Sequence, residues 1–299
     1  MSAADKKLME LIQSETDTDV SAPVKALSAA IAKRGDVKAI LFYGSGLWKE
    51  ASEDTLYDFY VLVERFKDFD ARFLHAVLGR ALAPNVYYME LQDGDRVLRC
   101  KYAVMTVKQF ERAARGRSLA PQIWARFAQP CRVVYSDGES TAQRVRTALK
   151  ECVLTFYKAA LALTPEGADA KEIWLSGLRA TYAAELRSEQ PERTRQIFES
   201  GADAFTQRSG LAQEILTGVK RDSRAARMMS VMKRPLQKLV AFIRLMKASL
   251  TFDGAVDYAL WKIERQSGVR AEASDFQRRY PLLGAWPLVW RLWRKGAFR

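Results

Sequence analysis

A single histidine, His75, occurs in the 299 residues, and that scarcity removes whole classes of chemistry. A histidine-rich metal centre cannot be built from one imidazole, and a Ser-His-Asp hydrolase would depend on a residue set inside the apolar run Phe73-Leu74-His75-Ala76-Val77-Leu78. His75 reads instead as a partly buried helix residue. The three cysteines, Cys100, Cys131 and Cys152, are odd in number and lack metal-ligand spacing, so they are expected to be buried, reduced and structural. No apolar run reaches the length of a membrane span. The nearest, Val231 to Phe252 and Pro281 to Trp293, are broken by Lys233, Arg234, Lys238, Arg244 and Lys247, and by Arg291. Asp5, Glu10, Glu15, Asp17 and Asp19 argue against both a secretory signal and an acid-poor transit peptide, which leaves a bacterial cytoplasm as the expected compartment.

With 48% hydrophobic residues the chain can bury a sizeable core in one large or two smaller domains. Its net charge of +13 is unevenly placed: residues 221–299 hold 17 Lys and Arg against 6 Asp and Glu, a net +11. Charge alone suits nucleic acid, anionic lipid or acidic substrates equally. The arrangement favours lipid. Leu236, Leu239, Val240, Ile243, Met246, Lys247 and Leu250 recur at helical spacing, with Lys233, Lys238 and Arg244 toward the flanks, as in a helix lying in a bilayer interface. Trp286, Trp290 and Trp293 share one helical face among arginines, and tryptophan favours the membrane interface. The expectation is a peripheral protein on the inner face of the cell membrane, with nucleic acid as the disfavoured partner.

The densest local signal lies in Leu41-Phe42-Tyr43-Gly44-Ser45-Gly46-Leu47-Trp48 and Tyr57-Asp58-Phe59-Tyr60-Val61-Leu62-Val63. These read as a buried strand, a glycine-serine turn and a second strand carrying a carboxylate. Gly44 and Gly46 allow close approach of the backbone to an anion, Ser45 adds a hydroxyl donor, and Asp58 can hold Mg²⁺ against the phosphates. That is the way a nucleotidyltransferase builds its triphosphate site. The usual pattern has two carboxylates at alternate strand positions, and here the second position is Tyr60. A degenerate, non-catalytic domain of the same fold therefore competes with an enzyme on pattern alone.

Further motifs follow in order: Asn85-Val86-Tyr87-Tyr88, Lys101-Tyr102-Ala103-Val104, Gln109-Phe110, a looser segment from Leu119 to Val134, Leu175 to Arg187, and Met232-Lys233-Arg234-Pro235 to Leu250. With Tyr43 to Gly46 and Asp58-Phe59, this series resembles the mitochondrial-type CTP:phosphatidate cytidylyltransferases, the peripheral CDP-diacylglycerol synthases of the translocator-assembly-and-maintenance family. The likeness spans roughly residues 35–265. That family also lacks a second Asp two residues after the first. Departures are Leu47-Trp48, Ala103 in place of Gly, and Glu185 in place of Asp. The resemblance implies transfer of a cytidylyl group from CTP to phosphatidic acid. Tyr43, Gly44, Ser45 and Gly46 would then cradle the triphosphate, Lys101 would offset its charge, and Asp58 would hold Mg²⁺ with Glu185 as second ligand and Glu90 as the runner-up. The alternatives are a soluble nucleotidyltransferase acting on RNA or a small molecule, and a non-catalytic interaction module.

The expected architecture is α+β: a nucleotidyltransferase-like domain with a mixed sheet over residues 1–140, then a helical domain over 141–299. Strands are expected at Ala39 to Tyr43, Asp58 to Glu64, Val86 to Leu91, Arg96 to Tyr102 and Arg132 to Ser136. Asp93-Gly94-Asp95 reads as a hairpin turn, its acids as turn formers.

Overall fold

The computed structural model describes residues 2–48, 52, 55–118, 121–182, 191–217, 239–240, 243–244, 247, 251–252, 254–269, 271–279, 290 and 294. It is an α+β fold built on one five-stranded mixed sheet. The strands are β1 (Val37–Tyr43), β2 (Leu56–Val63), β3 (Asn85–Asp93), β4 (Arg96–Thr106) and β5 (Arg132–Ser136), in the spatial order β3-β4-β2-β1-β5. β2 and β4 run parallel, and the other neighbouring pairs are antiparallel. All five expected strands form, four of them longer than expected at one or both ends. β1 and β2 are buried nearly throughout, which is why they read as continuous apolar runs.

The parallel pair requires a crossover, which is supplied by helix α3 (Phe73–Ala81) and by β3 itself. β3 returns into β4 through Gly94-Asp95. Gly94 adopts φ +60°, and Asp93 pairs with Arg96 across the turn. The Asp93-Gly94-Asp95 segment is thus a hairpin turn.

Helices α1 (Ala3–Thr16) and α2 (Ala22–Ala32) precede the sheet, and α4 (Val107–Ala114) and α5 (Pro121–Phe127) lie between β4 and β5. α4 opens on a capping box in which Thr106 and Gln109 satisfy each other's backbone amides. After Ser136 every regular element among the described residues is helical: α6 (Glu139–Leu161), α7 (Ala170–Tyr182), α8 (Pro191–Glu199), α9 (Ala202–Ile215), α10 (Ala255–Ser267) and α11 (Asp275–Arg279). One apolar cluster nevertheless runs from Leu8 to Ala212, across residue 140. Polar contacts tie the same parts together. Arg146 of α6 donates to Asp17 at 2.7 Å and Glu139 at 2.8 Å, Lys150 pairs with Asp5 at 2.9 Å, and Arg208 of α9 forks onto Glu15. The N-terminal acids thus fasten α1 to the helices that follow the sheet.

Cys100, Cys131 and Cys152 are buried and unpaired. Burial raises all three thiols, Cys131 to about 12, so none supplies a thiolate near neutrality. Among the described residues no helix is long and apolar enough to cross a membrane.

Candidate functional site

Four residues form a row across the sheet, because Tyr43 pairs with Asp58, Asp58 with Lys101, and Lys101 with Tyr88. Register partners project to one face of a sheet, so the β1 end, the carboxylate and the lysine meet without any contribution from loops. Lys101 Nζ lies 3.4 Å from Asp58 Oδ1, with the two side chains 35% and 26% exposed. Despite that ion pair, Asp58 Oδ1 is buried and accepts no hydrogen bond among the described residues. With only the Lys101 ammonium at 3.4 Å, that buried oxygen retains the capacity to accept from a closer donor or cation.

The turn after β1 closes over this carboxylate. Gly44 takes φ +86°, and a Cβ there would lie 3.6 Å from Asp58 Oδ2. The positive φ is what an L side chain resists, and the bare Cα leaves the approach to Asp58 open. Ser45 to Leu47 then make one 3-10 turn, with Leu47 N donating to Gly44 O and Trp48 N to Ser45 O, each at 3.1 Å. Ser45, at the start of that turn, is exposed. Gly46 has a packing reason of its own, since a Cβ there would come within 2.9 Å of the Phe42 ring.

Tyr60, two residues beyond Asp58 and so on the same face, occupies the position where the usual pattern has its second carboxylate. Its ring packs at 5.5 Å from Tyr43 and at 4.9 Å from Phe127. Arg126 of α5 lies 5.2 Å over the Tyr43 ring and donates to the Tyr60 hydroxyl at 3.3 Å. Burial lowers the pKa of Arg244, Tyr60 opposing it in part, and the buried Arg244 Nε has no hydrogen-bond partner among the described residues. Lys101 thus stands beside Asp58, and Arg126 beside Tyr43 and Tyr60.

Neither arginine was found by sequence reasoning. Arg126 sits in the loosely matching segment before β5, and only the crossing of α5 over the sheet brings it to Tyr43. Arg244 was expected on a helix flank against headgroups and is turned inward instead. Lys247, which helical spacing sets on one face with Leu239 and Ile243, is buried, while Leu239 and Ile243 are exposed. Leu236, Met246, Leu250, Lys233 and Lys238 lie outside the described residues, as do Trp286 and Trp293.

Glu185 also lies outside them. Glu90, two residues beyond Tyr88 and so on the same face of β3, accepts from the Tyr88 hydroxyl at 2.7 Å and from Arg99 at 3.2 Å. No group of three or more His, Cys, Asp or Glu side chains able to hold a metal occurs among the described residues. Mg²⁺ does not require one, since it is commonly held by one or two carboxylates together with substrate phosphates and water. The orphaned oxygen of Asp58 fits that role.

His75 belongs to a separate network. Its Nδ1 lies 2.8 Å from Asp70 Oδ2, which also accepts from the Tyr87 hydroxyl at 2.8 Å and from the Arg72 fork. Burial opposes ionisation of Asp70, but Arg72 and Tyr87 outweigh it and hold the carboxyl well below its usual range. This network fastens α3 to β3.

No protein-family model matches the chain, and no match was found among the curated proteins compared with it.

Proposed function

We propose that the chain is a Mg²⁺-dependent CTP:phosphatidate cytidylyltransferase acting at a membrane surface. The observation that carries the nucleotidyl-transfer reading is the buried, unbonded oxygen of Asp58, set between the Gly44 turn and Lys101. CTP and phosphatidic acid as substrates rest on the resemblance of the motifs from Tyr43 to Lys101.

In this reading a phosphate oxygen of phosphatidic acid attacks the α-phosphorus of CTP. The new P–O bond forms as the bond to the bridging oxygen breaks, and pyrophosphate leaves with that electron pair. The attacking group is already an anion, so no protein base is required and the lone histidine is no obstacle. Asp58 would hold Mg²⁺, which when bound neutralises charge on the phosphates and orients them. Ser45 donates to a phosphate oxygen at the turn. Lys101 offsets charge in the row, and Arg126 does so over Tyr43 and Tyr60, where a positively charged side chain stands in place of a second carboxylate and its metal. Catalysis of this kind is positioning and electrostatic stabilisation.

The test is incubation of the protein with each α-labelled nucleoside triphosphate, Mg²⁺ and phosphatidic acid vesicles, followed by lipid extraction. Label should enter the organic phase from CTP. Label passing only to RNA or a small molecule would replace the lipid acceptor, and no transfer to any acceptor would leave a non-catalytic module.

A further inference from the structure

Helix α3 is apolar on the wrong side. Its buried line consists of His75 and Gly79, whereas Phe73, Leu74 and Val77 are 82%, 51% and 45% exposed. The inward face is small for a reason: a Cβ on Gly79 would lie 2.6 Å from the Phe66 ring, and His75 is committed to Asp70. The helix could not be turned over without losing both contacts. Three large apolar side chains grouped on the outside of a short helix mark an interaction surface rather than scattered surface apolarity.

We propose that the outer face of α3 docks on an anionic bilayer. Charge selects that occupant. From Phe73 to Pro84 the chain carries Arg80 and no Asp or Glu, Arg72 just before it being paired with Asp70, in a protein of net charge +13. A second exposed apolar pair precedes a residue that contacts the end of α3. Leu239 and Ile243 are 54% and 47% exposed, and Lys247, at the next four-residue step, donates to the Leu82 and Pro84 carbonyls at 2.5 and 2.8 Å, just beyond α3. A cleft of about 290 Å³ opens at the start of α3, lined by Arg72 and His75, by Thr251 and Gly254, by Asp257 and Arg278, and by Tyr88 of the sheet row. Tyr88 is the register partner of Lys101, so the cleft reaches a residue of the row that carries Asp58. A lipid acceptor held in the bilayer would approach by that side. The choice of occupant rests in part on the proposed lipid acceptor, and the docking itself is measured without nucleotide.

The test compares the full chain with the Phe73→Ser, Leu74→Ser, Val77→Ser triple variant by sedimentation with vesicles of phosphatidylcholine alone or mixed with phosphatidic acid. Because the native cysteines are buried, Leu74→Cys can be labelled selectively with an environment-sensitive fluorophore, with Lys108→Cys on α4 as control. The wild type should bind the anionic vesicles, and the triple variant should partition at least about tenfold less. The label at position 74 should shift to the blue with vesicles while that at 108 does not. Transfer to a short-chain, water-soluble phosphatidic acid should be the same in variant and wild type. Binding that depends on α3 supports the docking even where no transfer is found, a result that removes only the proposed reaction. Equal sedimentation of variant and wild type overturns the docking. So does a label that ignores vesicles and responds to protein concentration, with light scattering showing a dimer that the triple variant loses.

Discussion

Replacing Asp58 by Asn separates the chemical role of this carboxylate from its structural one. The ion pair it loses is weak: Lys101 stands 3.4 Å away and both partners are partly exposed, so the pair contributes about 0 to 1 kcal/mol. An opposing effect accompanies it. The buried Oδ1 accepts no hydrogen bond, and a neutral amide oxygen costs less to bury there than a carboxylate. The two nearly cancel, and the midpoint of thermal unfolding should move by no more than about 4 °C. Activity has no such compensation, because Asp58 is the one carboxylate in the described sheet row. Loss of the metal's contribution, several kcal/mol in sites of this kind, lowers transfer by about a hundredfold or more. The assay pairs calorimetry with label transfer over a Mg²⁺ titration. Near wild-type turnover at unchanged Mg²⁺ dependence would refute the assignment.

Lys101→Ala and Ser45→Ala should each lower kcat/KM for CTP by roughly 1 to 3 kcal/mol while leaving vesicle binding intact; equal loss for nucleotide and lipid would indicate misfolding. Gly44→Ala places a methyl 3.6 Å from Asp58 Oδ2 at φ +86°, and should cost roughly 1 to 2 kcal/mol of stability in denaturant titration as well as Mg²⁺-CTP affinity. Burial pushes Lys247 down to about 7, with Arg244 adding to the effect, from an ordinary value of 10.5. Between these values the unfolded chain binds more protons than the folded one, so stability should rise with pH from about 7 to about 10 and be lost as pH falls through 7. The change should be roughly 2 to 5 kcal/mol, and Lys247→Met should flatten it; an unchanged slope in urea titrations of that variant would refute the assignment.

How much of the site could be read in advance depended on the distance over which each part is encoded. Gly44, Ser45 and Asp58 were legible because turn chemistry and strand alternation act within a few residues. Lys101 was found only through a motif likeness; its place beside Asp58 follows from the parallel β2–β4 register, which neither strand encodes alone. Arg126 carries no local mark at all.

By itself the sequence determined the five strands, the β3–β4 hairpin, the inert buried thiols and the run of helices after Ser136, since apolar periodicity and glycine placement are local physics. Tertiary packing decided the rest. It turned Arg244 and Lys247 inward, although helical spacing set Lys247 on one face with Leu239 and Ile243 and placed Arg244 on its flank. It also reversed α3, where the demand of Phe66 for space over Gly79 and of Asp70 for the His75 ring outweighed the burial of Phe73, Leu74 and Val77. A hydrophobic pattern states which side chains gain from burial, and only the neighbours in the fold decide which face has room for them.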